Sequence, residues 1–228
     1  MAANSPYDTA VAATAGITNS WFFRDLTGVT ATATAGAVSG TYTGAVGLQV
    51  VSPLAQDSST PLGGNGDVLG AIHLGATTGP AATTAGYVTF GDNFDFPTAT
   101  PFSATALIRL RGDQPANYVW AEMEILDKTP TASRNGWDVA VTANKQIIFR
   151  RWVAGVAESV THTQVLIPQV WYFIAVTYDG TTLRVYLDDY GSVSAASVGS
   201  LPGNAVNFTV GGQNGGSKIG RASCRERV

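Results

Sequence analysis

Apolar and polar residues alternate with a period of two through the second half of the chain, and this pattern limits the fold more than any other sequence feature. Successive side chains of a strand point to opposite faces, so such alternation is typical of a strand with one buried face. Gly, Asn, Asp and Pro interrupt the pattern at short intervals, as turns between strands require. Many short strands in succession predict an all-β, two-sheet antiparallel β-sandwich. The strand-sized runs from Gly86 onward are GYVTF, SATALIRLR, NYVWAEMEIL, GWDVAVT, QIIFRRWV, ESVTHTQ, WYFIAVTY, TLRVYLD and AVNFTV.

The run Asn117–Asp127 divides most clearly into two faces. One set of alternate residues is apolar and is predicted to face the core, while the other set mixes aromatic and acidic side chains and is predicted to be the wet or functional face. The apolar set is Val119, Ala121, Met123 and Ile125, and the other set is Tyr118, Trp120, Glu122 and Glu124.

The run Trp171–Asp188 predicts a hairpin of two apolar strands. Asp179 and Gly180 join them, and Gly supplies the positive φ that a tight turn needs. The part from Trp171 to Val176 is apolar on both faces, which predicts a central strand.

The composition fits one large β domain and excludes several function classes. The chain has 228 residues, of which 45% are hydrophobic and 13% charged, enough for one sizeable core. A net charge of −3 and the lack of a basic, aromatic-rich segment in the body of the chain argue against nucleic acid as a partner. No stretch approaches about 18 apolar residues, so no membrane insertion is predicted, and no signal peptide is visible. Cys224 is the only cysteine, which excludes an intramolecular disulfide.

The two ends of the chain differ from its body. Ser5, Pro6 and Asp8 before a Gly16 stop signal predict one short N-terminal helix over Pro6–Ala15. Residues 219–228 read IGRASCRERV, a basic string that breaks with the preceding composition and resembles a translated sequencing adapter. We therefore expect a domain over residues 1–218, followed by a non-native tail.

Several motifs together resemble the laminin-G-like group of the concanavalin A-like lectin/glucanase superfamily. The most specific is W-x-x-x-A-V-T-Y-D-G-x-x-L-R-V-Y-L-D at Trp171–Asp188, and weaker similarity lies at 21–25, 39–44 and 136–137. The resemblance implies a jelly-roll-like sandwich that binds glycans, proteins or other polymers, sometimes with calcium, in phage structural and bacterial surface proteins. The chain departs from the family where Asp-Gly usually closes the second strand of the hairpin, because it has Asp188-Asp189-Tyr190-Gly191 there. The family's last strand, after the glycine-rich segment Gly211–Ser217, is also absent, so the resemblance implies a sandwich domain over residues 1–218 that lacks its last strand.

Three carboxylates give the one candidate catalytic motif. Glu122, Glu124 and Asp127 resemble the E-x-D-x-x-E strand of bulged retaining glycanases in the same superfamily, with Asp and Glu exchanged at the last two places. Such enzymes need two carboxyl groups about 5–5.5 Å apart, and one strand can present them. The alternative interpretation is a solvated outer face.

Aromatic residues beside these acids suggest a ligand site instead. Tyr118 and Trp120 share a predicted face with Glu122 and Glu124, and flat rings beside carboxylates suit the apolar face and hydroxyls of a sugar. The alternative is a cross-strand aromatic pair that stabilises the sheet. Trp137 and Trp152, on neighbouring strands, have the same two interpretations.

Oxygen-bearing loop residues give a candidate calcium site. They are hard ligands of the kind that Ca²⁺ prefers, although Asx residues in turns usually bond their own backbone. The candidates are Asp92, Asn93, Asp95, Asp188 and Asp189.

Two other features are not predicted to form a site. The tripeptide Arg111-Gly112-Asp113 is interpreted as an ordinary turn, and His73 and His162 are isolated in the sequence.

The sequence thus predicts a non-catalytic binding module for carbohydrate or a surface polymer, in a phage structural or bacterial surface protein. The expected location is the virion, the cell surface or the extracellular space. One alternative is a structural domain that contacts only other virion or surface proteins. A second alternative is a retaining glycoside hydrolase that uses Glu122 and Asp127, with Glu124 in support.

Overall fold

The computed structural model describes residues 15–21, 28–44, 46–50, 71–74, 86–110, 122–130, 134–213 and 222–227. Sixteen strands and no helix occur in this part of the chain. The strands are β1 Ser20–Trp21, β2 Thr30–Ala31, β3 Gly40–Gly44, β4 Val46–Val50, β5 Ala71–Leu74, β6 Gly86–Thr89, β7 Phe102–Leu110, β8 Met123–Lys128, β9 Gly136–Val141, β10 Ile147–Val153, β11 Val156–Thr161, β12 Trp171–Tyr178, β13 Thr182–Leu187, β14 Ser192–Ala196, β15 Thr209–Val210 and β16 Ala222–Arg227.

The strands form two antiparallel sheets. Sheet A has the order β14-β13-β12-β7-β16-β5-β4, with β1 also paired to β16. Sheet B has the order β11-β10-β9-β8-β15-β6-β3-β2. Inward-facing side chains of both sheets enclose one hydrophobic core, which confirms the predicted all-β sandwich.

Strand β12 shows how the alternation sets the register of sheet A. It lies between β7 and β13, so the predicted central strand is confirmed. Tyr172, Ile174 and Val176 are buried in the core, while Phe173 between them is 45% exposed. The apolar residues on the outer face of β12 are therefore not part of the core. The turn to β13 contains Gly180 at a φ of 103°, as the predicted hairpin requires.

Aromatic rings join the loop after β6 to the core. Trp21 packs on Phe90 with ring centres 4.4 Å apart and meets Phe94 edge-on. Trp137 of β9 lies 5.0 Å from Phe102 of β7, and its Nε1 donates to the Phe94 carbonyl at 3.0 Å. Because tilted and edge-on ring pairs are favourable, these contacts fix the loop against both sheets.

Two fully buried cations hold further loops onto the sandwich. Lys128 donates from Nζ to the carbonyl of Val206 at 2.5 Å. Arg151 donates to the carbonyl of Thr98 at 2.8 Å, and its guanidinium lies 3.9 Å from the ring centre of Tyr178. A buried charge is tolerated only when it is paired and hydrogen-bonded, so each cation fixes the loop that supplies its partners.

The predicted features of the two chain ends have different outcomes. The helix over Pro6–Ala15 lies outside the described residues except for Ala15, which is in a turn, and stays a prediction. Strand β16 falls within the segment expected to be a non-native tail and pairs with β7, β5 and β1. Backbone pairing does not depend on whether the sequence is native, so that interpretation of 219–228 also stays a prediction.

Neighbouring residues on β12 give a matched test of this register. We expect Ile174→Ala to lower the free energy of unfolding by about 2–5 kcal/mol, because it leaves a cavity between the sheets. Phe173→Ala removes a larger side chain from the outer face and should cost much less. Urea denaturation of both variants, followed by tryptophan fluorescence, measures the difference, and equal losses would contradict the assigned faces.

Candidate functional site

A β-bulge in β8 brings the predicted carboxylates onto the outer face of sheet B. Glu124 pairs with Ala140 of β9, but Leu126 pairs with Val139, so Ile125 is the extra residue. The bulge turns Asp127 to the same face as Glu124, where it lies opposite Asp138 of β9. Strict alternation would have placed Asp127 on the core side.

Arg150 of β10 holds these acids together. Its Nη1 donates to Glu122 at 2.8 Å, and its Nε donates to Asp138 at 2.7 Å. Nη2 also donates to Asp138 and lies 3.6 Å from Glu124. We call Glu122, Glu124, Asp127, Asp138 and Arg150 the charge cluster. One guanidinium thus contacts three of its four carboxyl groups.

Most of the charge cluster is closed to solvent. Asp127, Asp138 and Glu124 are 0%, 1% and 2% exposed, while the Glu122 side chain is 25% exposed. Asp127 accepts hydrogen bonds from the backbone amide and the hydroxyl of Thr129. Two of the three candidate catalytic carboxyl groups therefore do not reach solvent, and the alternative of a solvated face is wrong for both.

Burial changes the protonation of the charge cluster. Burial, reinforced by the charges of Asp138 and Asp127, raises the pKa of Glu124 from 4.5 to about 9. Burial also raises the pKa of Asp138, against the opposing effect of Arg150. Glu124 is thus a neutral acid at pH 7, and its Oε2 has no hydrogen-bond partner.

Trp152 lies at the rim of the charge cluster. Its Nε1 donates to Asp138 Oδ1, and the guanidinium groups of Arg134 and Arg150 lie 4.4 and 5.4 Å from its ring centre. Its ring is therefore already engaged by cations of the protein. Trp137 is in the core, so its interpretation as a ligand residue is wrong, and Tyr118 and Trp120 lie outside the described residues.

The candidate calcium ligands lie in two separate places. Lys128 Nζ binds Asp92 at 2.6 Å and lies 3.5 Å from Asp95, so one ammonium group already pairs with both carboxylates. The amide nitrogen of Asn93 donates to the Phe90 carbonyl. Asp188 and Asp189 instead follow β13, and the described residues contain no group of three or more side chains suited to a metal ion. The residues present do not fit a calcium site.

Other sequence features are not part of a site. The tripeptide at 111–113 lies outside the described residues. His162 is buried and accepts a hydrogen bond at Nδ1 from the Gln164 amide, and the side chain of His73 is outside the description. Among the described residues, no helix has the length and apolarity to cross a bilayer.

The outer face of sheet A carries exposed aromatic residues, whereas the outer face of sheet B carries buried acidic residues. Phe173 is 45% exposed, Tyr186 of β13 is 39% exposed and Tyr190, after β13, is 55% exposed. Tyr186 lies opposite Ala175, which makes it a diagonal neighbour of Phe173 on the same face. Trp171, two residues before Phe173, shares this face and is half-buried. We call Trp171, Phe173, Tyr186 and Tyr190 the aromatic face.

A pocket of about 290 Å³ adjoins the aromatic face at one end of β12. Its lining combines Trp171 and Tyr190 with Asp188 and Asp189. Asp188 is fixed, because its Oδ1 accepts a hydrogen bond from the Phe173 amide at 2.8 Å. Rings and carboxylates therefore meet at one exposed position.

Sequence reasoning missed the aromatic face although its signal was present. Trp171 and Phe173 alternate with the buried Tyr172 and Ile174, so period two places them on the side away from the core. Apolar residues on both faces of β12 predict a strand that is buried on both sides. A ligand-binding surface gives the same pattern.

The buried Arg150 has a surface counterpart that serves as a control. Arg150→Met leaves Asp138 buried without its guanidinium, and we expect the free energy of unfolding to fall by about 3–5 kcal/mol. Arg184→Met breaks the exposed pair with Asp179 and should change stability little. Urea denaturation compares the two, and a tolerated Arg150→Met would contradict the ion pairing in the charge cluster.

The raised pKa of Glu124 predicts a pH dependence of stability. Between about pH 4.5 and 9 the folded state keeps a proton that the unfolded state has released. Stability from this group is complete below pH 4.5 and is lost as the pH rises through about 9, by at most about 1.4 kcal/mol per unit. Glu124→Gln should remove the Glu124 share of this slope in denaturation at pH 5–9 and leave the share of Asp138, whose pKa is also raised. An unchanged pH profile in the variant would count against it.

Solved structures share the fold at low sequence identity. The receptor binding domain of botulinum neurotoxin C/D mosaic serotype has a TM-score of 0.57 and 11% identity, covering 92% of this chain and 46% of that one. Botulinum neurotoxin type C, whose cell entry depends on interaction with two ganglioside molecules, has a TM-score of 0.54 and 14% identity. This match covers 92% of this chain and 46% of that one. The binding domain of paraclostridial mosquitocidal protein 1 has a TM-score of 0.52 and 11% identity, and the match covers 69% of this chain and 38% of that one. The chain spans less than half the length of each.

A protein-family model matches the part of the chain that contains strands β6 to β15. No curated protein sequence matches the chain. Residues 82–221, from β6 through β15, match the laminin G model described as the concanavalin A-like lectin/glucanases superfamily. Because the match covers well over half of the sequence, the chain belongs to this superfamily.

Proposed function

We propose that this protein is a non-catalytic carbohydrate-binding module and that glycans bind to the outer face of sheet A. The observation that carries the proposal is the aromatic face, whose rings stay exposed on a central strand while the neighbouring residues fill the core. Isolated exposed apolar residues are common, but a contiguous set rimmed by polar groups marks an interaction site.

The chemistry of the aromatic face suits a sugar chain. Flat rings present an apolar surface to the C–H face of a pyranose, while side chains at the rim satisfy its hydroxyls. Arg109 of β7 lies opposite Trp171, with its guanidinium 5.3 Å from the ring centre, and Asp188 and Asp189 lie beyond the other side of β12. The face therefore offers rings flanked by hydrogen-bond donors and acceptors.

The relatives support a glycan as the ligand class. The chain belongs to a superfamily described as lectins and glucanases, and one structure of similar fold is a neurotoxin that interacts with gangliosides. We extend this to the setting and propose a glycan or surface polymer as the partner, within a phage structural or bacterial surface protein. The match covers less than half of each neurotoxin chain, so glycan binding by this protein is a proposal and does not follow from the match itself.

Hydrolysis is the less favoured alternative. The bulge in β8 does place Glu122, Glu124 and Asp127 on one face, as a retaining glycanase would need. A sugar would have to contact two carboxyl groups that are almost fully buried, Glu124 and Asp127. The aromatic face requires no such rearrangement.

Glycan binding is tested on an array with the full chain, followed by titration calorimetry on the best ligand. We expect Phe173→Ala and Tyr186→Ala each to weaken binding by about threefold to tenfold, the loss typical of one aromatic contact. Both side chains lie outside the core, so each variant should lower the unfolding midpoint far less than Ile174→Ala does.

Two further variants separate the competing surfaces. Val198→Ala removes a 77% exposed apolar side chain outside the aromatic face and should not change binding. Glu122→Gln tests the outer face of sheet B, the site that the sequence predicts. Binding lost with Glu122→Gln but kept with Phe173→Ala would move the site to sheet B, and no binding to any glycan would favour a purely structural domain.

A further inference from the structure

The pocket beside the aromatic face has a composition that selects for charge. Two aromatic rings, Trp171 and Tyr190, and two carboxylates, Asp188 and Asp189, line it beside Val170 and Tyr172. A volume of about 290 Å³ admits a small group such as one sugar unit. Electron-rich ring faces and negative charge both attract a cation, and both repel an anion.

The carboxylates differ in how much of their hydrogen-bonding capacity is already used. Asp188 accepts from the Phe173 amide, and its own amide donates to the Phe173 carbonyl at 3.0 Å, which fixes it to the end of β12. Asp189 makes no hydrogen bond or ion pair within the described structure, although it lines the pocket. Arg109, whose guanidinium contacts the Trp171 ring, lies on the β7 side of Trp171 and not on the side of Asp189.

One exposed turn, which follows β13, supplies both carboxylates and one of the two rings. It reads Asp188-Asp189-Tyr190-Gly191. The turn closes by a hydrogen bond from the Tyr190 amide to the Leu187 carbonyl, and Gly191 allows it at a φ of 82°. Three of the four residues of this turn, Asp188, Asp189 and Tyr190, therefore line the pocket.

We infer that this pocket binds the ammonium group of an amino sugar with a free amine, and so selects cationic glycans over acetylated and anionic ones. The inference rests on the proposed glycan-binding function and names its ligand class. An isolated small cation would use the pocket alone, whereas the aromatic face continues from Trp171 to Phe173 and Tyr186, which suits further units of a sugar chain. Asp189 supplies the charge and Tyr190 supplies a ring face, while Trp171, whose ring Arg109 already contacts from the β7 side, adds apolar surface.

A matched pair of oligosaccharides tests the inference on the full chain. Chitosan hexamer, with free amines, and N-acetylated chitin hexamer share a backbone and differ in charge. Titration calorimetry should give a dissociation constant about threefold to tenfold lower for the chitosan hexamer, the range expected of an exposed ion pair with a cation–π contact. Asp189→Asn and Tyr190→Ala should each reduce this preference at least threefold.

Controls separate charge from shape. Asp189→Glu keeps the charge and should restore the preference, while Val198→Ala should leave it unchanged. If the chitin hexamer or a neutral glycan binds as tightly as the chitosan hexamer, and Asp189→Asn has no effect, the ammonium inference is wrong while glycan binding stands. If no oligosaccharide binds, the proposed function itself fails. Because the altered side chains are exposed, unchanged unfolding midpoints will show that each variant is folded.

Discussion

Alternate burial along β12 is the constraint on which the arrangement of sheet A depends. Tyr172, Ile174 and Val176 must face sheet B to complete the core, and a shift of one residue would exchange them for Trp171, Phe173 and Ala175. The chain has no disulfide to enforce the register, so the core and the hairpin turn at Gly180 set it. The same choice necessarily places the rings of the aromatic face outside.

The outer faces of the two sheets differ in which side chains are buried and which are exposed. Sheet B carries charged groups that are buried and satisfied largely by one another around Arg150, which makes them costly to alter but closed to a ligand. Sheet A carries aromatic side chains that remain exposed. The charge cluster therefore contributes to the stability and pH response of the domain, whereas the aromatic face is free to contact other molecules.

The sequence predicts strands better than it predicts which face is covered. Period-two runs and turn residues were enough for the sandwich and for the hairpin at Asp179-Gly180, because both are local properties. The burial of Glu124 and the core position of Trp137 depend on packing between distant segments. Lys128 reaches Asp92 across 36 positions in the chain, so no local pattern distinguishes that ion pair from a calcium loop.

The turn after β13 shows how a binding preference can change without changing the core. Leu187 is the last buried residue of the hairpin, and everything from Asp188 to Gly191 is exposed. Residues added there alter no inward-facing position, so their cost to stability is small. They nevertheless sit beside Trp171, at the end of a strand whose outer side chains are held in place by the core beneath. A platform fixed by the core thus adjoins an exposed turn, and in the proposed binding mode the carboxylates of that turn determine which charge the platform accepts.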